Sequence, residues 1–156
     1  MHQKYFIIFS ILLILSITYP VQKGLTLLHE HGHSLHLTIS NKILKQNFEK
    51  PIPRITGYKQ LLFFRMYKGK TYSQLYPYLE NNKLYGYIRI NAIFGSLLVC
   101  FSFFITPIIL CIFSRELAIY SLILCLPICI LEITNFLDSS DYEYLKHPEN
   151  FHYTDK

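Results

Sequence analysis

The hydrophobic residues of this chain fall into three long runs separated by polar stretches. Residues 90–113 carry no charged side chain, and residues 117–137 carry only Glu132. Each of these two runs has the length that a transmembrane α-helix needs, which is about 20 residues. The three residues between them leave room only for a tight turn, so the pattern predicts two antiparallel membrane-spanning helices.

The remaining run lies at the N-terminus, where residues 5–19 are almost wholly apolar. It has the shape of a signal peptide, but no small-x-small cleavage site follows it, so we expect it to be retained. The run is short for a full crossing, and Pro20 predicts a kink or a break after it. We interpret residues 4–36 as a first membrane element, which makes either one crossing or two.

A basic stretch over residues 37–89 separates this element from the other two. It contains ten lysines and arginines but only two glutamates. Alternating residues and turn-forming prolines and glycines predict short strands at Leu35–Ile39, Leu61–Tyr67 and Tyr85–Ile90. Its tyrosines suit a membrane–water boundary and no nucleic-acid-binding module is recognisable, so we expect the lipid bilayer, and no nucleic acid, as its partner.

The bulk composition also favours a membrane protein. The chain has 156 residues, 51% of them hydrophobic, with a mean hydropathy of +0.26 and a formal net charge of +5. This is too apolar for an ordinary soluble domain, and the length suits one unit over residues 1–156. All four cysteines lie within apolar runs and imply no disulfide framework.

The predicted fold class is therefore an α-helical integral membrane protein with about three core transmembrane helices. The first helix is either kinked or split at Pro20, and a small basic loop containing β-strands lies between the first and the second. The residues after the last helix, 138–156, are expected to form a polar, exposed tail.

One stretch of the first element carries candidate chemistry. Residues 29–33 read His-Glu-His-Gly-His, which contains the pattern H-E-x-x-H. Each residue of an α-helix advances about 100°, so His29 and His33 lie about 40° apart on one face, one turn from each other. Two imidazoles in that relation can hold a Zn²⁺ ion at roughly 2.0–2.1 Å. Glu30 lies beside them and is free to act as general base on a zinc-bound water.

The number of membrane crossings identifies the segment from which a third zinc ligand can come. After the basic stretch the chain crosses along one long apolar run and returns along the other. Two crossings bring Asn135, Asp138 and Asp141 back to the side of the zinc motif. The positive-inside rule puts the basic stretch, and with it this site, near the cytoplasmic face.

With these features the chain resembles the site-2 protease family of intramembrane zinc metalloproteases. The resemblance rests on the motif around His29 and His33, with its glycine retained at Gly32. It rests also on the order of zinc-motif helix, strand-containing loop, second helix, and third helix ending in an aspartate. Gly95-Ser96-Leu97 lies near the start of the second helix, where many relatives carry a Gly-Pro-Leu-like element.

The resemblance implies a zinc metalloendopeptidase that cleaves a membrane-protein or peptide substrate, with His29, His33 and an aspartate as zinc ligands. In the family the third helix ends in N-x-x-P-x-x-x-L-D-G, but here the proline and the final glycine are absent. Asp141 lies nearer the family spacing and is the favoured ligand, whereas Asp138 copies the Leu-Asp pair and is the alternative. Asn135 is the candidate for orienting the substrate.

Other polar residues keep more than one interpretation. His36 is a further candidate ligand, and His31 points to the opposite face of its helix. Glu132 is costly to bury, so it either has a function or faces the water around the site. Another group of membrane proteins with H-E-x-x-H uses a downstream glutamate as third zinc ligand, and Glu132 is a minor candidate for that role. His147 and His152 lie in the tail and are expected to be solvated.

The alternative to a protease is a membrane protein without proteolysis. It is either a degenerate relative or a metal-handling module that uses the histidines at 29, 31, 33 and 36. Apart from Glu132, residues 90–137 offer only hydroxyl and amide groups, which counts against ion passage.

An extended substrate of a protease can pair with an edge strand, for which residues 35–39 and 61–67 are the candidates. The sequence leaves the oligomeric state open.

Overall fold

The computed structural model describes residues 19–61 and 64–153. Helix α1 spans Tyr19–Ile43 and leads to an antiparallel hairpin of β1 (Ile52–Leu61) and β2 (Phe64–Tyr72). A short helix, α2 (Leu75–Asn81), precedes two long helices, α3 (Tyr85–Phe113) and α4 (Arg115–Leu137). The chain then forms α5 (Ser140–Lys146) and a 3₁₀ helix at Pro148–Asn150.

Helices α3 and α4 are long and apolar enough to cross a membrane. At 1.5 Å per residue their 29 and 23 residues extend about 44 and 35 Å, compared with about 30 Å for the hydrocarbon core of a bilayer. Ser114 joins them, and its hydroxyl accepts a hydrogen bond from the N–H of Leu117 to cap α4. Their outer surface exposes large apolar side chains such as Phe101, Ile108 and Ile112, an extent of apolar surface typical of a site of membrane or partner contact.

The prediction of two apolar helices at 90–113 and 117–137 agrees with these elements, except that α3 begins at Tyr85. The predicted strand at Tyr85–Ile90 is therefore wrong. Buried residues recur along α3 with helical spacing, beginning at Ile88, Asn91 and Ala92. This period extends through the whole apolar run and outweighs a local alternation of six residues.

The predicted strand at Leu35–Ile39 is also wrong, because these residues continue α1. The alternation Leu-His-Leu-Thr-Ile imitates a strand. The helix nevertheless buries His33, Leu37 and Ser40 on one face and leaves Leu35 and Ile39 exposed. Burial at intervals of three and four residues is the pattern of an amphipathic helix.

A small sheet between the first and second helices is confirmed. Of the predicted strand at Leu61–Tyr67, Leu61 ends β1 and residues 64–67 begin β2, whereas residues 62 and 63 lie outside the described residues. The two strands therefore extend beyond the predicted one at both ends. The register shifts between Ile55 and Gly57, which indicates a β-bulge. Strand β2 packs against α1, where the hydroxyl of Thr71 is buried over Glu30.

A compact hydrophobic cluster closes one end of the molecule. Its buried members come from α1, α2, α3 and the C-terminal segment: Leu37, Leu75, Tyr76, Leu79, Ile88 and Phe151. The expectation of an exposed tail over 138–156 is therefore wrong for Pro148 and Phe151, which are buried. The ring of Tyr144 packs edge-on against Phe151 at 5.0 Å, so aromatic residues of the tail supply part of the core.

Residues 1–18 lie outside the described residues, and with them the predicted start of the first membrane element and the kink preceding Pro20. Within the described residues α1 begins at Tyr19, and α3 and α4 are the two helices that meet the requirements for a membrane span.

Candidate metal centre

Three side chains from two distant parts of the chain meet between α1 and α5. The Nε2 atoms of His29 and His33 lie 3.0 Å apart. The Oδ2 atom of Asp141 lies 3.3 Å from each of them. The H-E-x-x-H spacing accounts for the first contact, since both histidines lie on one face of α1 one turn apart.

These three atoms fit a zinc ion. In a tetrahedral site with ligand bonds of 2.0–2.1 Å, neighbouring ligand atoms are about 3.3 Å apart. The observed separations of 3.0, 3.3 and 3.3 Å match this spacing. Two imidazole nitrogens and one carboxylate oxygen are also a donor set that catalytic zinc uses, with a fourth position left for water or substrate.

Hydrogen bonds at the Nδ1 atoms of His29 and His33 orient both rings so that their Nε2 atoms face the centre. The Nδ1–H of His29 donates to Oε1 of Glu132 at 2.6 Å, and the Nδ1–H of His33 donates to the carbonyl oxygen of Asn91 at 2.7 Å. A carbonyl can only accept, so the proton of a neutral His33 lies on Nδ1 and the lone pair on Nε2 faces the centre. Such partners are typical of metal-binding histidines.

Glu132 is therefore a buried hydrogen-bonding partner of His29, one of the candidate ligands. Its Oε1 atom also accepts a hydrogen bond from the hydroxyl of Ser96 at 2.9 Å, so α3 and α4 both contribute to the support of His29. The side chain of Glu132 is 11% exposed. Glu132 also lines the cavity, so the structure places it at the candidate site, and whether it has a function stays a prediction.

Glu30 lies next to the histidines without an ion pair to either. One of its carboxylate oxygens is within 4.8 Å of a ring nitrogen of His29 and of a ring nitrogen of His33. The hydroxyl of Thr71 on β2 lies 2.8 Å from Glu30 Oε2 and 2.9 Å from the Glu30 carbonyl oxygen, so its single hydrogen is shared between them. Glu30 is thus oriented by the hairpin and kept beside the centre.

Two glycines leave the space that these side chains occupy. A Cβ atom at Gly95 on α3 would lie 2.6 Å from Nε2 of His29. A Cβ atom at Gly69 on β2 would overlap the carboxylate of Glu30. Larger residues at either position would displace the side chain that they now accommodate.

Asp141 is positioned by the start of α5. Ser139 caps this helix, and its Oγ accepts a hydrogen bond from the N–H of Asp141 at 3.2 Å. Burial by itself raises the pKa of a carboxyl group, but the neighbouring rings of His29 and His33 outweigh it and hold the pKa of Asp141 below its usual range. Asp141 is therefore an anionic group at neutral pH, as a metal ligand must be.

Of the two candidate aspartates, the structure brings Asp141 to the histidines and leaves Asp138 at the C-cap of α4. Asp138 is exposed, and among the described residues no hydrogen bond or ion pair joins it to either histidine. Asn135 is also exposed. Both Asp138 and Asn135 line the same cavity as the metal centre.

The remaining histidines of α1 do not join the centre. His31 is exposed, and its Nδ1 bonds the carbonyl oxygen of Leu27 in its own helix. His36 is buried, with Nδ1 3.1 Å from Oδ1 of Asn91 and Nε2 3.3 Å from Oγ of Ser40. The hypothetical cluster of four histidines is therefore not formed, and His36 is not a ligand in this arrangement.

A cavity of about 710 Å³ opens beside the centre. Such a volume is within the usual range of ligand sites. The histidines, Glu30 and Asp141 line its base, and β2 lines one wall. The phenol of Tyr76 and the C-terminal segment with Phe151 and Tyr153 line another part.

Several contacts of the site were not found from the sequence. Gly95 and Ser96 were noted only for the family resemblance, and Asn91 was not noted, although polar and small residues in an otherwise apolar helix are a signal that could have pointed to all three. Thr71 and Gly69 lie in the hairpin, where nothing in the sequence indicates which face meets α1.

Comparisons of the chain with protein-family models, with curated proteins and with solved structures found no match.

Proposed function

We propose that this protein is a membrane-embedded zinc metalloendopeptidase. The observation that carries the proposal is the convergence of His29, His33 and Asp141 at separations of 3.0–3.3 Å, with Glu30 beside them. The resemblance to site-2 proteases supports the same reaction. A general base next to a three-ligand zinc site is the arrangement that hydrolysis of a peptide bond requires.

In this proposal His29, His33 and Asp141 hold the zinc ion, which when bound polarises the peptide carbonyl group and makes water more acidic. Glu30 accepts the proton that the attacking water loses. It then returns a proton to the amine as the carbon–nitrogen bond breaks. Thr71 keeps the Glu30 carboxylate oriented toward the cavity through its hydrogen bond to Oε2.

The location of the site supports a substrate within or at the membrane. Gly95, which contacts His29, lies ten residues after the first residue of α3, Tyr85, or about 15 Å along that helix. Glu132 supports the same histidine from α4. Because both apolar helices contribute to the centre, the proposed substrate is a membrane-protein segment that unwinds near its end. The ten basic residues between 37 and 89 support a cytoplasmic position.

The hairpin offers a surface for an extended substrate. In the described part of the chain the sheet has two strands, so β1 and β2 each pair on one side. A peptide in extended conformation can add to such an edge through main-chain hydrogen bonds. β2 also lines the cavity that contains Glu30, which links strand addition to the proposed cleavage site.

The substitution Glu30→Gln tests the proposal. We expect it to abolish cleavage of a fluorogenic peptide library in detergent while the protein retains its zinc, because Glu30 is not one of the three ligand groups. Glu49→Gln is the matched control, since Glu49 is exposed and lies outside this cavity. Cleavage that persists at the wild-type rate in Glu30→Gln would contradict the proposed role of Glu30.

A further inference from the structure

One buried hydroxyl group at the cavity has no part in the mechanism described so far. Tyr76 belongs to α2, is 8% exposed and lines the same cavity as Glu30, His33 and Asp141. Its hydroxyl oxygen lies 2.7 Å from Nδ2 of Asn91. The backbone carbonyl of Asn91 accepts the hydrogen bond from His33, so Asn91 fixes both a proposed zinc ligand and this phenol.

The direction of that hydrogen bond leaves the phenol with a hydrogen to donate. An amide nitrogen donates and does not accept, so the oxygen of Tyr76 is the acceptor in this contact. Among the residues that the structure describes, no group accepts the Tyr76 O–H. Burial raises the pKa of Tyr76, so the phenol carries its proton at neutral pH.

The ring of Tyr76 packs against two aromatic rings of the C-terminal segment. It stacks on Tyr153 with ring centroids 5.2 Å apart, and it lies 5.2 Å from the ring of Phe151. A side chain packed in this way loses little further freedom when it donates a hydrogen bond. Preorganised donors of this kind are the ones that stabilise charge developing in a transition state.

We propose that the Tyr76 hydroxyl donates a hydrogen bond to the carbonyl oxygen of the peptide bond that is cleaved. This inference rests on the proposed peptidase function. As the water oxygen bonds to the carbonyl carbon, the electron pair of the C=O double bond moves to the oxygen and Glu30 takes the proton. Tyr76 keeps its own proton and stabilises the negative oxygen. The double bond re-forms when the carbon–nitrogen bond breaks and the amine leaves with a proton.

Tyr76 suits this role better than Asn135, the candidate from the sequence. Asn135 is exposed at the end of α4, and among the described residues its side chain has no hydrogen-bonding partner that would hold it in place. Tyr76 is buried, fixed by Asn91 and packed against two aromatic rings.

The test compares Tyr76→Phe with Tyr78→Phe. Phenylalanine keeps the aromatic packing and removes only the hydroxyl. Tyr78 lies on the same helix, and its hydroxyl accepts a hydrogen bond from Nε2 of Gln46 instead of facing the cavity. We expect Tyr76→Phe to lower kcat by about 100-fold, the lower limit for loss of an oxyanion donor, and Tyr78→Phe to leave it unchanged.

Two further readouts separate a catalytic role from a structural one. A phosphinic peptide imitates the tetrahedral transition state, so we expect Tyr76→Phe to weaken its binding by a factor similar to the loss in kcat. Zinc content and the affinity for an uncleaved peptide, measured in the Glu30→Gln background, are expected to stay unchanged. If Tyr76→Phe loses zinc, 3-fluorotyrosine at position 76 retains the hydroxyl, and its more acidic O–H is expected to tighten phosphinic peptide binding.

Wild-type kcat and phosphinic peptide affinity in Tyr76→Phe would overturn the assignment of Tyr76 while leaving the peptidase proposal intact. Unchanged affinity with 3-fluorotyrosine would also overturn it. A wild-type protein that contains zinc and cleaves no peptide would overturn the peptidase proposal, and the role of Tyr76 with it.

Discussion

At the scale of single residues, the candidate metal centre depends as much on glycines, which leave space for their neighbours, as on the candidate ligands. Gly32, inside the zinc motif, lies against the backbone of Phe94 and Gly95, which brings α1 and α3 into close contact. Gly95 in turn leaves room for the imidazole of His29. The small residues therefore set the distance at which the two helices pack and the direction in which His29 points.

Gly95→Ala is predicted to disturb the metal site. The added methyl group would lie 2.6–2.8 Å from three atoms of the His29 ring, so the imidazole must rotate away from Glu132 and Asp141. We expect zinc affinity to fall about 10-fold or more, the usual effect of losing the support of a ligand. Competition with a chelator measures this.

The matched control is Gly86→Ala on the same helix, where an added Cβ atom meets nothing within 4 Å. It is expected to leave zinc affinity unchanged. Equal affinities in Gly95→Ala and the wild type would show that His29 does not occupy the position described here when it binds metal.

Glu132 illustrates what a sequence can and cannot predict at this scale. A carboxylate inside an apolar helix is expensive, so a role near the site was a reasonable hypothesis. The partner was not predictable, because it depends on how α4 rotates against α3 and α1. The choice between Asp138 and Asp141 has the same character. It depends on the turn after α4 and the cap at Ser139, which set the direction of each side chain.

At the scale of secondary-structure elements, long apolar segments were predictable and short alternating ones were not. The apolar runs that form α3 and α4 were predictable from their length and their near absence of charged residues, and the helices span 29 and 23 residues. The misassigned segments at 35–39 and 85–90 span only five or six residues, over which a strand and a helix give similar patterns. Burial on α1 and α3 decided both cases in favour of the helix.

The C-terminal segment was predicted to be exposed because it contains many charged residues, although it also contains aromatic residues that pack in the core. Glu80 on α2 accepts hydrogen bonds from Nδ1 of His152 at 2.9 Å and from the N–H of Tyr153 at 3.1 Å. These contacts lower the pKa of Glu80. They fasten the segment that packs Tyr153 against Tyr76 beside the cavity.

This attachment is predicted to depend on pH. Because the pKa of Glu80 is lower in the folded protein than its ordinary value of about 4.3, its contribution is present above that value and is lost as the pH falls through the lowered pKa. At neutral pH we expect Glu80→Ala to speed hydrogen exchange at the amide of Tyr153. The ratio of the exchange rate in Glu80→Ala to that in the wild type should approach one in acid.

Glu149→Ala is the control for this experiment, because Glu149 is half exposed and pairs with His147 within the same segment. It is expected to leave exchange at Tyr153 unchanged. A ratio between Glu80→Ala and wild type that stays constant from neutral pH to acid would contradict the role of the Glu80 carboxylate.

At the scale of the whole molecule, the candidate site is built from two parts: the apolar helices α3 and α4, and the more polar hairpin and C-terminal segment. Helices α3 and α4 supply the support of the histidines through Asn91, Ser96 and Glu132. The hairpin orients Glu30, and the segment after α4 supplies Asp141. In the proposed function, a centre built from both parts acts on a peptide that passes from the membrane to the water.

Zinc content is the direct measure of whether His29, His33 and Asp141 form a zinc site. Elemental analysis of the detergent-purified protein is predicted to find about one zinc per chain in the wild type. His33→Ala and Asp141→Ala are predicted to lose it. His31→Ala and Asp138→Ala are predicted to keep it, because neither residue contacts the centre. A wild type that binds no zinc after metal supplementation, or an Asp141→Ala variant that keeps its zinc while Asp138→Ala loses it, would contradict the site described here.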